Sequence, residues 1–184
     1  MPEPFDAKVL GSDRALGDAG LRHAFGGAIA LAYYAVPRAT VDIDVNVFVP
    51  AADASRALAA LAAIGVDVSN GAAQVARAGQ CRVMWEFTPV DLFFANHEFH
   101  ATMERGMRRV PFAGEQIPIL AAEHLMVCKA RYNRPKDWLD IEQMLVGVRD
   151  LRVTEVRRWM REIAGEADTR YQRLDALIRE MLDR

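Results

Sequence analysis

The sequence predicts an α+β protein in which a strand-and-helix part, residues 1–120, precedes an all-helical part, residues 121–184. Three observations predict it. Residues 41–49 read Val-Asp-Ile-Asp-Val-Asn-Val-Phe-Val, a period-2 alternation of β-branched or aromatic with polar residues. Gly26-Gly27 separates a short apolar run from an alanine-rich one, the pattern of a strand, a tight turn and a helix. Beyond Ala121, apolar residues recur at helical spacing in four successive stretches.

The elements follow in order. A strand leads into Gly26-Gly27, and the helix after it ends at Val36-Pro37, because proline cannot continue a helix and disfavours helical geometry at the residue before it. The alternating strand 41–49 comes next. Residues 51–64 are rich in alanine and leucine and read as a helix, with Asp53 near its start. Residues 74–78 and 81–87 read as short strands around Gly79, and 90–94 as a third strand carrying a single acid, Asp91. A helix over 97–105 and two short strands, 107–112 and 117–120, joined by a turn at 113–116, complete the first part. The four helices of the second part span 121–132, 135–146, 154–163 and 169–182, with Pro135, Thr154 and Thr169 as start signals.

Composition excludes several classes. The chain has 184 residues, of which 52% are hydrophobic and 26% charged, which is globular rather than disordered. Its longest apolar stretch, 24–36, is shorter than the roughly 18 residues of a membrane span, so no membrane partner is expected. The first residues are acidic and interrupted by proline where a secretory signal needs a basic and then an apolar segment, which makes the cytoplasm the expected location. Cys81 and Cys128 lack the spacing of a zinc site or disulfide framework, and the four histidines lack metal-ligand spacing. A net charge of −2 removes a global electrostatic argument for nucleic-acid binding but leaves room for a local basic patch. Of 23 basic residues only Lys8, Lys129 and Lys136 are lysine, so a lysine in the body of this chain asks for a reason.

Asp42 and Asp44 stand at i and i+2 on one strand, so their carboxylates leave the same face about 6 to 7 Å apart along the chain. A lone Asp-x-Asp is more often a strand face in water. Its company changes the reading: Gly26-Gly27 lets a ligand approach backbone N–H groups at a helix start, and Asp91 sits among Val90, Leu92, Phe93 and Phe94, a costly setting for a casual charge. Three carboxylates near a phosphate-accepting turn suit Mg²⁺ with a nucleoside triphosphate, since a hard cation takes a few carboxylates and fills its remaining positions with phosphate oxygens.

Gly26-Gly27 with its alanine-rich run, Arg38-x-Thr40-x-Asp42-Ile43-Asp44-Val45, Val90-Asp91-Leu92 and Lys129-Ala-Arg131-x-x-Arg134-Pro135-Lys136-Asp137-x-x-Asp140 together resemble the nucleotidyltransferase superfamily of polymerase-beta-like fold. The resemblance is greatest to its AbiEii-like and minimal nucleotidyltransferase branches. It implies a nucleotidyltransferase-type mixed β-sheet with flanking helices, followed by a C-terminal helical bundle. It implies Mg²⁺, two ions, held by Asp42, Asp44 and Asp91, with Asp91 also helping to deprotonate the acceptor hydroxyl. Gly26 and Gly27 would hold the triphosphate, Arg38 and Thr40 would shape the pocket, and Lys129 and Lys136 are further nucleotide-binding candidates. Each has a plainer reading: a turn for Gly26-Gly27 and for Thr40, solvated helix-end cations for the lysines, and helix capping or an ion pair with a lysine for Asp137 and Asp140. The implied activity moves a nucleoside monophosphate from the triphosphate to a hydroxyl on a tRNA end, a protein or a small molecule such as an antibiotic, with a cognate toxin or antitoxin as a possible partner. The alternative is a non-catalytic module that binds nucleotide or partner.

Overall fold

The computed structural model describes residues 2–182, and they form an α+β structure around a six-stranded mixed sheet. Helix α1 (Phe5–Asp18) and strand β1 (His23–Phe25) lead to a short helix, α2 (Gly27–Leu31), and then to β2 (Ile43–Pro50). A 3₁₀ turn, 51–53, and helices α3 (Ala54–Ala62) and α4 (Gly71–Ala78) precede β3 (Gln80–Trp85) and β4 (Thr88–Ala95). Helix α5 (Glu98–Gly106) and strands β5 (Arg108–Phe112) and β6 (Glu115–Ile119) follow. The remaining helices are α6 (Ala122–Tyr132), α7 (Pro135–Gly147), α8 (Val153–Ala164) and α9 (Thr169–Leu182). The strand order is β3-β4-β2-β1-β6-β5, with β2 parallel to β4, β1 parallel to β6 and the other neighbours antiparallel.

The chain divides into two compact units. The first comprises Met1–Ile29 and Ala39–Leu120; the second comprises Ala30–Arg38 and Ala121–Arg184. In the first, alternation on the strands sorts the faces: Ile43, Val45, Val47, Val90, Leu92 and Phe94 are buried, while Asp44 and Asp91 leave the opposite face. Buried aliphatic residues of α1 and α3, including Val9, Leu16, Leu58 and Leu61, add to this core. In the second unit, Leu125, Met126, Trp138, Ile141, Met144, Trp159, Leu174 and Ile178 bring α6 to α9 together.

Three elements depart from expectation. Residues 74–78 belong to a helix, not a strand: the alanines of α4 favour helix, and Gly79 at φ 67° caps it with its N–H on Val75 O, 2.8 Å away. The helix after Gly26-Gly27 is only five residues long, because the chain tightens into i to i+3 bonds from Tyr33 to Ala30 and Tyr34 to Leu31 on its approach to Pro37. Helix α1 forms where no apolar period stands out, since its buried face is built from Lys8, Val9, Ser12 and Leu16. Gly11 on α1 lies against the Trp85 ring, where an added Cβ would stand 2.8 Å from the indole.

Candidate active site

Three adjacent strands of the first unit carry a row of charge. In the parallel register of β2 and β4, Asp44 pairs with Asp91, and in the antiparallel register of β3 and β4, Asp91 pairs with Arg82. Cross-strand partners share a face, so Asp44, Asp91 and Arg82 project to the same side of the sheet. Asp42 lies just before β2. Thr40 shapes that approach, its Oγ1 accepting from Asp42 N–H and donating to Asp42 O, both at 3.3 Å, a local turn contact.

Arg82 is the centre of this group. Its Nε donates to Asp91 Oδ1 at 2.7 Å and its Nη2 to Asp91 Oδ2 at 2.6 Å, a bidentate pair, and the same Nη2 is 3.7 Å from Asp42 Oδ2. Hydrogen bonding to Asp91, then the charges of Asp91, Asp42 and Asp44, hold the guanidinium still more firmly protonated than usual. Two carboxylates about 5 Å apart repel by roughly 3 kcal/mol at an effective dielectric of about 20, so acids on neighbouring strands need a cation between them. Here a guanidinium supplies it. Its backbone is fixed from the other side: β3 is an edge strand, and the Gln74 side chain on α4 accepts from Arg82 N–H at 3.0 Å and donates to Arg82 O at 3.1 Å. The Asp91 charge also reaches Cys81, whose thiol is pushed up to about 11, mainly by burial.

The glycine pair meets the acids directly. Gly26 N–H donates to Asp44 O at 2.8 Å, and Gly27, at φ 51°, lies so close to Asp44 that an added Cβ would stand 1.8 Å from Oδ2. No other residue fits that position. An added Cβ at Gly26 would meet the buried Asn46 amide at 3.1 Å. Gly26, Gly27, Asp42, Asp44 and Asp91 are thus gathered at one end of β2, with Arg82, Gln74 and Asn46 as neighbours that motif reading does not reveal. The signal for Arg82 is its alternation with buried Cys81 and Val83, but only the strand register joins it to Asp91.

The remaining candidates lie in the second unit. Lys129 is buried and donates to Asp140 Oδ2 at 2.6 Å, and Arg38 reaches the same oxygen at 3.3 Å. Asp137 caps α7, accepting from the Arg134 N–H and guanidinium, with Pro135 at the first helical position. Lys136 is exposed in the first turn of α7.

The donor chemistry fits a divalent cation. Carboxylate oxygens are the ligands Mg²⁺ prefers, and the Arg82 guanidinium between Asp91 and Asp42 is a stand-in cation. In this arrangement no three acid, histidine or cysteine side chains among the described residues gather tightly enough to hold a metal. Among the described residues no helix is long and apolar enough to cross a membrane.

No protein-family model matches the sequence, and no curated protein matches it. Solved structures do share its fold. The solution structure of the antibiotic-resistance factor ANT(2″)-Ia is similar over 93% of this chain and 95% of that one, at 17% identity and a TM-score of 0.60. The crystal structure of ANT(2″)-Ia in complex with adenylyl-2″-tobramycin is similar over 85% of this chain and 97% of that one, at 14% identity and a TM-score of 0.61. The mixed sheet with flanking helices is therefore a nucleotidyltransferase-type fold.

Proposed function

We propose that the protein is a nucleotidyltransferase, moving a nucleoside monophosphate from a nucleoside triphosphate to an acceptor hydroxyl. The observation that carries this reading is the convergence of Asp42, Asp44 and Asp91 on one sheet face, around a cation and against a glycine that only glycine can replace. In the proposed reaction the acceptor oxygen forms a bond to the α-phosphorus, the bond from that phosphorus to the bridging oxygen breaks, and pyrophosphate leaves. Asp42, Asp44 and Asp91 would hold Mg²⁺, which when bound stabilises negative charge on the phosphate oxygens. Asp91, whose side chain is only 16% exposed on the face that carries Asp44, accepts the acceptor's proton. Gly26 N–H fixes the Asp44 backbone, and the absence of a Cβ at Gly27 leaves the space that the Asp44 carboxylate occupies.

A tRNA end or a protein hydroxyl is the acceptor we infer, with a cognate toxin or antitoxin partner in the protein case and the resemblance to AbiEii-like and minimal nucleotidyltransferases as support. The second reading is a small hydroxylated antibiotic, supported by a fold shared over 97% of the chain of the adenylyl-2″-tobramycin complex. One experiment separates them. Transfer from each α-labelled nucleoside triphosphate, with Mg²⁺, is followed into total tRNA, total protein and a panel of aminoglycosides, with Asp42→Asn as control. Label entering one pool and lost in the variant identifies the acceptor. Nucleotide binding without label in any pool would replace the enzyme with a non-catalytic nucleotide-binding module.

A further inference from the structure

The counter-ion of the acidic row comes from the protein itself, and this has a consequence for the ligands. Arg82 is held rigidly at its backbone, where Gln74 satisfies both the N–H and the C=O, yet its side chain is 54% exposed. Its guanidinium thus has open solvent to turn into while its backbone stays fixed. The carboxylate atoms it engages, Asp91 Oδ1 and Oδ2 and the more distant Asp42 Oδ2, are oxygens that a divalent cation would need. A divalent cation competes with the guanidinium for these carboxylate oxygens, since like charges at that separation repel. A displaced guanidinium keeps its planar fork, which matches phosphate oxygens as well as it matches a carboxylate.

We propose that Arg82 is an exchangeable counter-ion: it neutralises Asp91 and Asp42 in the nucleotide-free protein, yields them to a divalent cation, and then turns to the phosphate oxygens of the triphosphate. This rests on the nucleotidyltransferase reading of the acids and adds to it a residue that couples cation binding to nucleotide binding. Arg82 then opposes binding of the cation alone and supports binding of the cation with its nucleotide. A purely structural cross-strand pair would do neither.

The test measures binding, not turnover. Free Mn²⁺ is followed by electron paramagnetic resonance during titration of the wild type, Arg82→Gln and Arg82→Lys, first alone and then with a non-hydrolysable α,β-methylene triphosphate. Circular dichroism and thermal melts report whether each variant folds. Arg82→Gln is expected to bind Mn²⁺ alone about 1.5- to fivefold more tightly than the wild type, and the triphosphate at saturating Mn²⁺ about 1.5- to fivefold more weakly, the range of one exposed charge pair. Arg82→Lys keeps the charge without the fork and shifts both constants in the same directions by smaller factors, so it carries the test if Arg82→Gln does not fold. Mn²⁺ binding to the wild type with no gain in the variants, or a gain with nucleotide affinity unchanged, would overturn the role of Arg82 alone. Mn²⁺ and triphosphate bound by none of the three proteins would overturn the reading of the acids as a cation site, and the role of Arg82 with it.

Discussion

Gly27 is the residue whose identity the site constrains most tightly, because it combines a left-handed φ with a side-chain oxygen 1.8 Å from where Cβ would lie. Gly27→Ala is expected to cost about 2 to 3 kcal/mol in urea unfolding, through backbone strain and displacement of Asp44. Gly17→Ala is the control: it lies in α1 with open space around it and should gain about 0.5 to 1 kcal/mol. Cys81 yields a pH prediction. Its thiol ionises near 11 when folded against an ordinary value of 9, so between those values the unfolded chain loses its proton first. The folded state then binds more protons, and stability falls as pH rises from about 9 to 11. Urea melts at pH 7, 9 and 10.5 should show a smaller alkaline loss in Cys81→Ala than in the wild type. At this scale the acids were legible, since Asp42, Asp44 and Asp91 are unusual within apolar strands. Arg82 and Gln74 were not, because their roles depend on strand register and on an edge strand that spacing alone does not define.

Between elements, two of the three lysines answer the question their rarity raises. Lys8 is buried on α1 and donates to Trp85 O at 3.1 Å and Thr88 Oγ1 at 3.0 Å, with Glu86 Oε2 2.8 Å away, so it fastens α1 to the β3–β4 hairpin. Lys8→Met keeps the apolar stem but leaves those acceptors unmatched, an expected loss of about 1 to 3 kcal/mol, whereas Glu86→Gln should change Tm far less because Glu86 is exposed. Lys129 similarly joins α6 to α7 through Asp140. Lys129→Met leaves a buried carboxylate with only the longer Arg38 contact and should cost about 3 kcal/mol, whereas pairing it with Asp140→Leu should recover much of that loss. Thermal melts of the single and double variants check this. The helices of the second unit were legible because their apolar spacing and start signals are strong. Helix α4 was misread because Gly79 looked like the break between two short strand-like runs, 74–78 and 81–87, whereas the alanines and the glycine cap determine a helix.

For the whole molecule, ligand binding should stabilise one unit before the other. With Mg²⁺ and a non-hydrolysable triphosphate at about a hundred times Kd, linkage predicts about 2.7 kcal/mol of stabilisation. The expected outcome is slowed amide exchange in β2 and β4 with little change in α8 and α9, and no effect in Asp42→Asn with Asp44→Asn. Protection spread equally over both units would count against a cation site on the acidic row. The division itself was only partly legible: a boundary near Leu120 follows from the change in periodicity, but the assignment of 30–38 to the helical unit does not, because its apolar residues look like a continuing helix. Within that unit Ala30 and Leu31 are wholly buried, and a Cβ added at Gly147 would stand 2.7 Å from Tyr34 O. This interleaving sets an order of events on the ribosome. Residues 30–38 emerge more than eighty residues ahead of α6, so at about 5 to 20 residues per second they wait roughly 4 to 16 s or longer for the helices that cover them. A nascent chain stalled after Leu120 should therefore expose an apolar segment next to Gly26-Gly27 and bind chaperones there, and release of that segment should coincide with emergence of the last helices.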